Sequence, residues 1–247
     1  MRVTAEIGTL TPPEIEVDRV RFAYSQIPVL EGISLRVGAG DRLALLGANG
    51  SGKSTLLRLI DGLILPSSGA IRFRGQQVDE QSLARDEFNF AFRRAVGFVF
   101  QNPDIQLFHS TVYEEVAFGP LLLGLPPDEI DDRVQDALER VGAAHLKARG
   151  PHRLSGGEKK KVAIAATIVI NPSILLLDEP TAWLDPRSQY QIVELIASLH
   201  AEGATLLISS HDLDLVARLA DRCLVLDRGV AVASGSCESR GQRSRHE

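Results

Sequence analysis

Apolar and polar positions alternate through Ile15, Val17, Val20, Phe22 and Tyr24, with one slip at Asp18-Arg19. A period of two marks a strand with one buried face, and the slip reads as a β-bulge. Arg42–Leu46 is a short apolar run that ends in glycines, a strand feeding a loop. Leu56, Leu57, Leu59 and Ile60 then fall on a helix that stops near Gly62. Behind Pro127, Ile130, Val134, Leu138 and Val141 recur at helical spacing and predict a second helix as far as Gly142. Val162–Leu177 is uncharged for 16 residues, but Asn171-Pro172-Ser173 interrupts it. It is too short to span a bilayer and reads as a buried helix, a turn and a buried strand, Ile174–Leu177. Asp185-Pro186 opens a helix that ends near Gly203, and Thr205–Ser209 is a further buried strand. Leu224–Leu226 and Val230–Val232 flank an Asp-Arg-Gly turn as a hairpin.

Strands alternating with helices over 247 residues, 44% of them hydrophobic and 24% charged, point to a folded α/β protein. The stretch Gln101–Leu154 is mostly helical and separates two α/β blocks, so it reads as an inserted lobe, about 101–154. From Ser234 onward the sequence is polar and patternless, and 236–247 is expected to be a frayed tail. A net charge of −5 gives no reason to expect a nucleic-acid partner. Met1–Leu10 has no apolar core, since Glu6 interrupts it, and no secretory leader is expected there. Cys223 and Cys237 match no metal-site spacing and read as two unrelated free thiols suited to a reducing cytosol.

Two motifs carry chemistry. Gly47 to Thr55, "GANGSGKST", fits G-x-x-x-x-G-K-[ST] between a strand and a helix. Glycines let backbone N–H groups wrap phosphates, and the helix turns its positive dipole end toward them. Asn49, Gly50, Ser51 and Gly52 form the wrap, Lys53 reaches the terminal phosphates, and Ser54 offers a hydroxyl to Mg2+. "ILLLDEP", Ile174 to Pro180, is a buried strand that ends in two carboxylates. Asp178 is placed to bind Mg2+ through water and Glu179 to polarise an attacking water. The chain has no N-K-x-D guanine-reading motif, so ATP is favoured over GTP.

These residues, with "LSGGE" at Leu154–Glu158, resemble the ATP-binding-cassette ATPases from about Glu14 to Gly235. The resemblance implies one ATPase domain, 14–235, with a mixed β-sheet core, an N-terminal antiparallel β subdomain and an inserted helical subdomain. It places Tyr24 on the adenine, makes Gln101 a sensor of Mg2+ and of the membrane partner, and makes His211 the γ-phosphate switch. Ala182–Asp185 matches the D-loop. Ser155, Gly156 and Gly157 match the signature turn, which in this family binds the γ-phosphate held by the opposite subunit. A second ATPase subunit, as a homodimer, is therefore expected. Lys159–Lys161 are read as the solvated face of the helix behind that turn. Two positions depart from the usual pattern: Glu158 stands where glutamine is common, and Trp183 where small residues are common.

"FQNPDIQLF", Phe100 to Phe108, and "EEVAFGPLLLGL", Glu114 to Leu125, are similar to the energy-coupling-factor importers, within them the cobalt and nickel group. That resemblance implies a peripheral ATPase on the cytoplasmic face of the membrane. Its partners would be an integral membrane coupling protein, docked beside the Gln101 segment, and a substrate-capture membrane protein. Ile105, Leu107 and Phe108 read either as core of the helical lobe or, because they run through a Pro-broken loop, as the exposed surface for that docking. Cobalt is the expected cargo and nickel the next. A vitamin importer of the same type, or a conventional cassette importer or exporter, is the alternative. A chromosome or repair ATPase is excluded, because only 102 residues separate Lys53 from Ser155 and leave no room for a long coiled coil.

Overall fold

The computed structural model describes residues 13–237. The leader reading and residues 238–247 of the expected tail lie outside them. In chain order the strands are β1 (Ile15–Tyr24), β2 (Ile27–Val37), β3 (Arg42–Leu46), β4 (Ser68–Phe73), β5 (Gln76–Gln77), β6 (Val96–Val99), β7 (Ile174–Asp178), β8 (Thr205–Ser209), β9 (Arg222–Asp227) and β10 (Val230–Ser236). The helices are α1 (Lys53–Ile60), α2 (Glu80–Leu83), α3 (Asp86–Ala95), α4 (Val112–Leu122), α5 (Pro127–Arg140), α6 (Gly156–Ile168), α7 (Pro186–Ala201) and α8 (Leu213–Leu219). They fall into two compact units: residues up to Leu83 together with those from Thr205 onward, and Ala84–Ala204.

In the first unit β2-β1-β4-β5 form an antiparallel sheet. The bulge in β1 lies where the pattern slips, between Val17 and Val20, with Arg19 at φ 47. Ser25 and Gln26, at φ 45 and 74, make the tight β1–β2 turn, whose twist matches that of the strands it joins. Val17, Val20, Leu30 and Ile33 bury the inner face. Beside this sheet in sequence but separate in pairing, β3 runs parallel to both β8 and β9, and β9 pairs antiparallel with β10.

Two expectations about the C-terminal stretch are corrected. Ser234, Gly235 and Ser236 belong to β10, opposite Leu224, Cys223 and Arg222, and the Cys237 N–H donates to the Asp221 carbonyl at 2.7 Å. Edge-strand pairing needs only backbone groups, so the polar side chains concealed it. Cys223 and Cys237 are also not unrelated. They are neighbours across this ladder, and burial together with the Cys223 thiol pushes the Cys237 thiol up to about 12.

In the second unit β6 pairs parallel with β7. α3 brings Phe88 and Phe92 together as a stacked pair 5.7 Å apart, and Phe92 is fully buried. α4 opens with a reciprocal cap between Thr111 and Glu114, and α7 with Asp185 accepting from the N–H groups of Arg187 and Ser188. α4 and α5 occupy the expected lobe and pack on α6, which lies beyond its expected boundary. Among the described residues no helix is long and apolar enough to cross a membrane.

Candidate nucleotide and signature sites

The phosphate loop is the six-residue link Gly47–Gly52 between β3 and α1. Gly47, Gly50 and Gly52 sit at φ 144, 80 and 104, a region that disfavours any side chain. At Gly47 the reason is also steric: a Cβ there would run into the Leu226 carbonyl oxygen and lie 2.7 Å from Ser51 Oγ. The loop is buttressed by the last hairpin, because the Gly229 N–H donates to the Ser51 carbonyl at 3.1 Å. Lys53 is buried, and its ammonium donates to the carbonyls of Gly47 at 2.8 Å and Ala48 at 3.1 Å. β3 and β8 are in register at Leu45 and Ser209, and the Ser210 N–H donates to the Leu45 carbonyl at 3.2 Å. The loop and exposed His211 therefore leave adjacent strands at their carboxyl ends, where open α/β sheets place ligands. Tyr24 ends β1, 41% exposed, its ring edge-on to Phe22 at 4.7 Å.

The second unit repeats this arrangement. β6 and β7 are in register at Val99 and Leu177, so Gln101 and the Asp178–Glu179 pair leave neighbouring carboxyl ends. Both carboxylates are buried and Gln101 is exposed. Glu179 has φ 46, which turns the backbone off the strand axis and separates its direction from that of Asp178. Ser155 N-caps α6, and Gly156 has open space around its Cα. A Cβ at Gly157 would lie 3.4 Å from Leu184, so the D-loop backs the signature turn.

The lysine run corrects the solvated-face reading. Lys160 is fully buried, and its ammonium donates to the carbonyls of Phe100 at 2.8 Å and Gln101 at 2.9 Å. Burial lowers its pKa to about 8, while the attraction of Asp178 and Glu179 opposes that shift. An unpaired ammonium taken out of water costs several kcal/mol, so these partners are what make the burial tenable. Lys159 pairs with Asp104 at 2.6 Å and Lys161 with Gln191 at 3.3 Å. On α6 position 160 shares the stripe of Ala163 and Thr167, so one of three consecutive lysines had to point inward.

The loop after Gln101 is held from within. Gln106 Nε2 donates to the Ala163 carbonyl at 2.9 Å and to Thr167 Oγ1 at 3.1 Å. Buried Glu115 accepts from the N–H groups of Phe108 and His109, each at 2.8 Å. Phe108 is left 70% exposed, its ring edge-on to Phe118 at 5.6 Å. Sequence reasoning missed Glu115 and Gln106 as anchors. For Glu115 the signal was a polar residue at helical spacing from apolar ones; Gln106, in a loop, carried none.

The family profile described as ABC transporter matches residues 30–182. The chain belongs to the ABC transporter family. This ABC ATPase is 50% identical over 226 residues to the nickel import ATP-binding protein NikO of Rhodobacter capsulatus, covering 90% of this chain and 89% of that one. It is 45% identical over 223 residues to the energy-coupling factor transporter ATP-binding protein EcfA of Methanothermobacter thermautotrophicus, covering 90% and 70%. Among solved structures it is similar to cbiO1 from Clostridium perfringens, part of the ABC transporter complex cbiONQ. That match has a TM-score of 0.78 and 39% identity, over 92% of this chain and 90% of that chain.

The residues fit the nucleotide of an ABC ATPase. Ser51 Oγ is buried in the phosphate loop with no hydrogen-bond partner, a polar atom aligned with the glycine cradle. A phosphate oxygen in that cradle would satisfy it. In the first unit Ser54 offers a hydroxyl, and in the second Gln101 and Asp178 offer an amide and a carboxylate, oxygen donors of the kind a hard cation such as Mg2+ takes.

Proposed function

We propose that this chain is the ATP-hydrolysing subunit of an energy-coupling-factor importer for a transition-metal ion. The supporting observation is half identity to a nickel import ATP-binding protein over nine-tenths of both chains. Cobalt was the first cargo expected from the sequence. The name of this relative moves nickel ahead of it.

In this reading Gly47–Thr55 wrap the phosphates of ATP, Tyr24 stacks on the adenine, and Lys53 exchanges its two loop carbonyls for phosphate oxygens. Ser54, Asp178 and Gln101 would hold Mg2+, which supplies charge neutralisation at the phosphates when bound. Glu179 orients the attacking water and accepts its proton, and His211 contacts the γ-phosphate. Ser155, Gly156 and Gly157 serve the ATP held by a second copy. The exposed aromatic face at Phe108 supports docking of the membrane coupling protein, with the ATPase peripheral on the cytoplasmic side.

The test is uptake. The ATPase is reconstituted in vesicles with its membrane coupling and capture proteins, and ATP-dependent accumulation of nickel and cobalt is measured. Accumulation of either supports the reading. ATP hydrolysis with neither metal accumulated, and a vitamin accumulated instead, sinks the metal assignment.

A further inference from the structure

Behind the signature turn, one stripe of α6 grips the segment that carries Gln101. Lys159 holds Asp104, Lys160 holds the Phe100 and Gln101 carbonyls, and Ala163 and Thr167 hold Gln106. Of the three lysines only Lys160 is fully buried, and its ammonium donates to both carbonyls. A single buried side chain thus belongs to the signature helix and holds the backbone of the Gln101 segment.

We propose that Lys160 is a positioning residue for ATP hydrolysis, fixing the backbone of the Gln101 segment to the signature helix. An apolar side chain of similar length would fill the same volume. It would take the ammonium donor away from the Phe100 and Gln101 carbonyls. The Gln101 side chain can serve the nucleotide site only from a backbone held in place, and Lys160 holds that backbone. A movement of the Phe100–Gln101 backbone reaches the signature helix through Lys160.

The inference rests on Gln101 acting at the nucleotide. It is tested on the full-length ATPase by steady-state hydrolysis and by binding of a fluorescent ATP analogue. Lys160→Met should lower kcat at least about tenfold while analogue affinity and KM stay within about threefold, since Lys160 is fully buried behind the signature turn. Lys160→Arg, which keeps charge and donors, should recover part of that loss. The proposal is overturned if Lys160→Met keeps kcat within about twofold, if kcat and nucleotide affinity fall together, or if neither variant folds. Gln101→Ala in the same assays separates the two readings. If it retains turnover, the assignment of Gln101 fails, whatever Lys160 does.

Discussion

Ser155 and Glu158 cap each other. The Glu158 carboxylate accepts from the Ser155 N–H at 2.8 Å, and the Ser155 hydroxyl accepts from the Glu158 N–H at 3.3 Å. The glutamate that departs from the usual signature therefore fixes the turn while leaving the serine O–H proton available as a donor. Its hydrogen bonds from Ser155 hold Glu158 below its ordinary value of 4.5. A depressed carboxylate stabilises the fold above its unfolded pKa, and that contribution is lost as pH falls through the lower folded one. Glu158→Ala should cost about 1 kcal/mol at neutral pH through the lost cap. The gap in Tm between wild type and Glu158→Ala should narrow as pH is taken below about 4, as thermal unfolding across pH would register.

Chemistry and binding should separate cleanly. Glu179→Gln keeps the shape of the site and should bind ATP while releasing phosphate at least about a hundredfold more slowly. Lys53→Ala should lose ATP binding as well, because a buried ammonium beside the loop carbonyls has no substitute. Titration with a fluorescent analogue and a phosphate-release assay distinguish the two outcomes.

If the signature turn serves another copy's nucleotide, two dead variants should rescue each other. Lys53→Ala and Ser155→Arg are each expected to be inactive. Mixed, they form a dimer with one site spoiled twice and one built from intact halves. Partial recovery on mixing supports a site shared in trans. An absence of recovery in verified mixed dimers sends the question to a linked dimer carrying Ser155→Arg in one half only, whose remaining activity would place the signature in cis.

The loop at Phe108 should matter to the complex and not to the fold. Phe108→Asp puts a charge on a side chain already 70% exposed, so circular dichroism and ATP binding should be unchanged. Co-purification with the membrane coupling protein should be lost.

Much of the candidate site is legible because its backbone geometry and burial admit few residues. Gly47 lies at φ 144 with no room for a Cβ, Lys53 donates to the carbonyls of its own loop, and a buried strand runs out in two buried carboxylates, Asp178 and Glu179. Strands β3 and β8 are read to the residue from their apolar runs. What resists reading is burial of polar groups. Lys160 hides in a run of three lysines, and nothing in that run says which one turns inward. β2 is obscured by Pro28 and Gly32, and β10 by serines whose backbones pair while their side chains signal a tail. α3 buries only Phe88, Phe92 and Ala95, too short a stripe to stand out.

Trp183 carries a strain that the sequence does not announce. It sits at φ 67 with 59% of its surface exposed. A non-glycine residue in this conformation costs about 1–2 kcal/mol, and an exposed indole offsets little of that. Trp183→Gly should raise stability by up to about 1 kcal/mol, the greater chain entropy of glycine absorbing the rest. A rise in Tm checks it. A fall would show that the indole packs more tightly than its exposure indicates.

The support that Gly229 gives to Ser51 has a consequence for the order in which the protein comes into being. The phosphate loop is spelled out early, yet β3 finds its parallel neighbours only in β8 and β9, and the loop carbonyl finds its donor only at Gly229. On the ribosome, the second unit, Ala84–Ala204, is fully made before any of these partners emerges. A partly synthesised chain thus carries the nucleotide motif without the walls that shape it. ATP affinity should be among the last properties the nascent chain acquires.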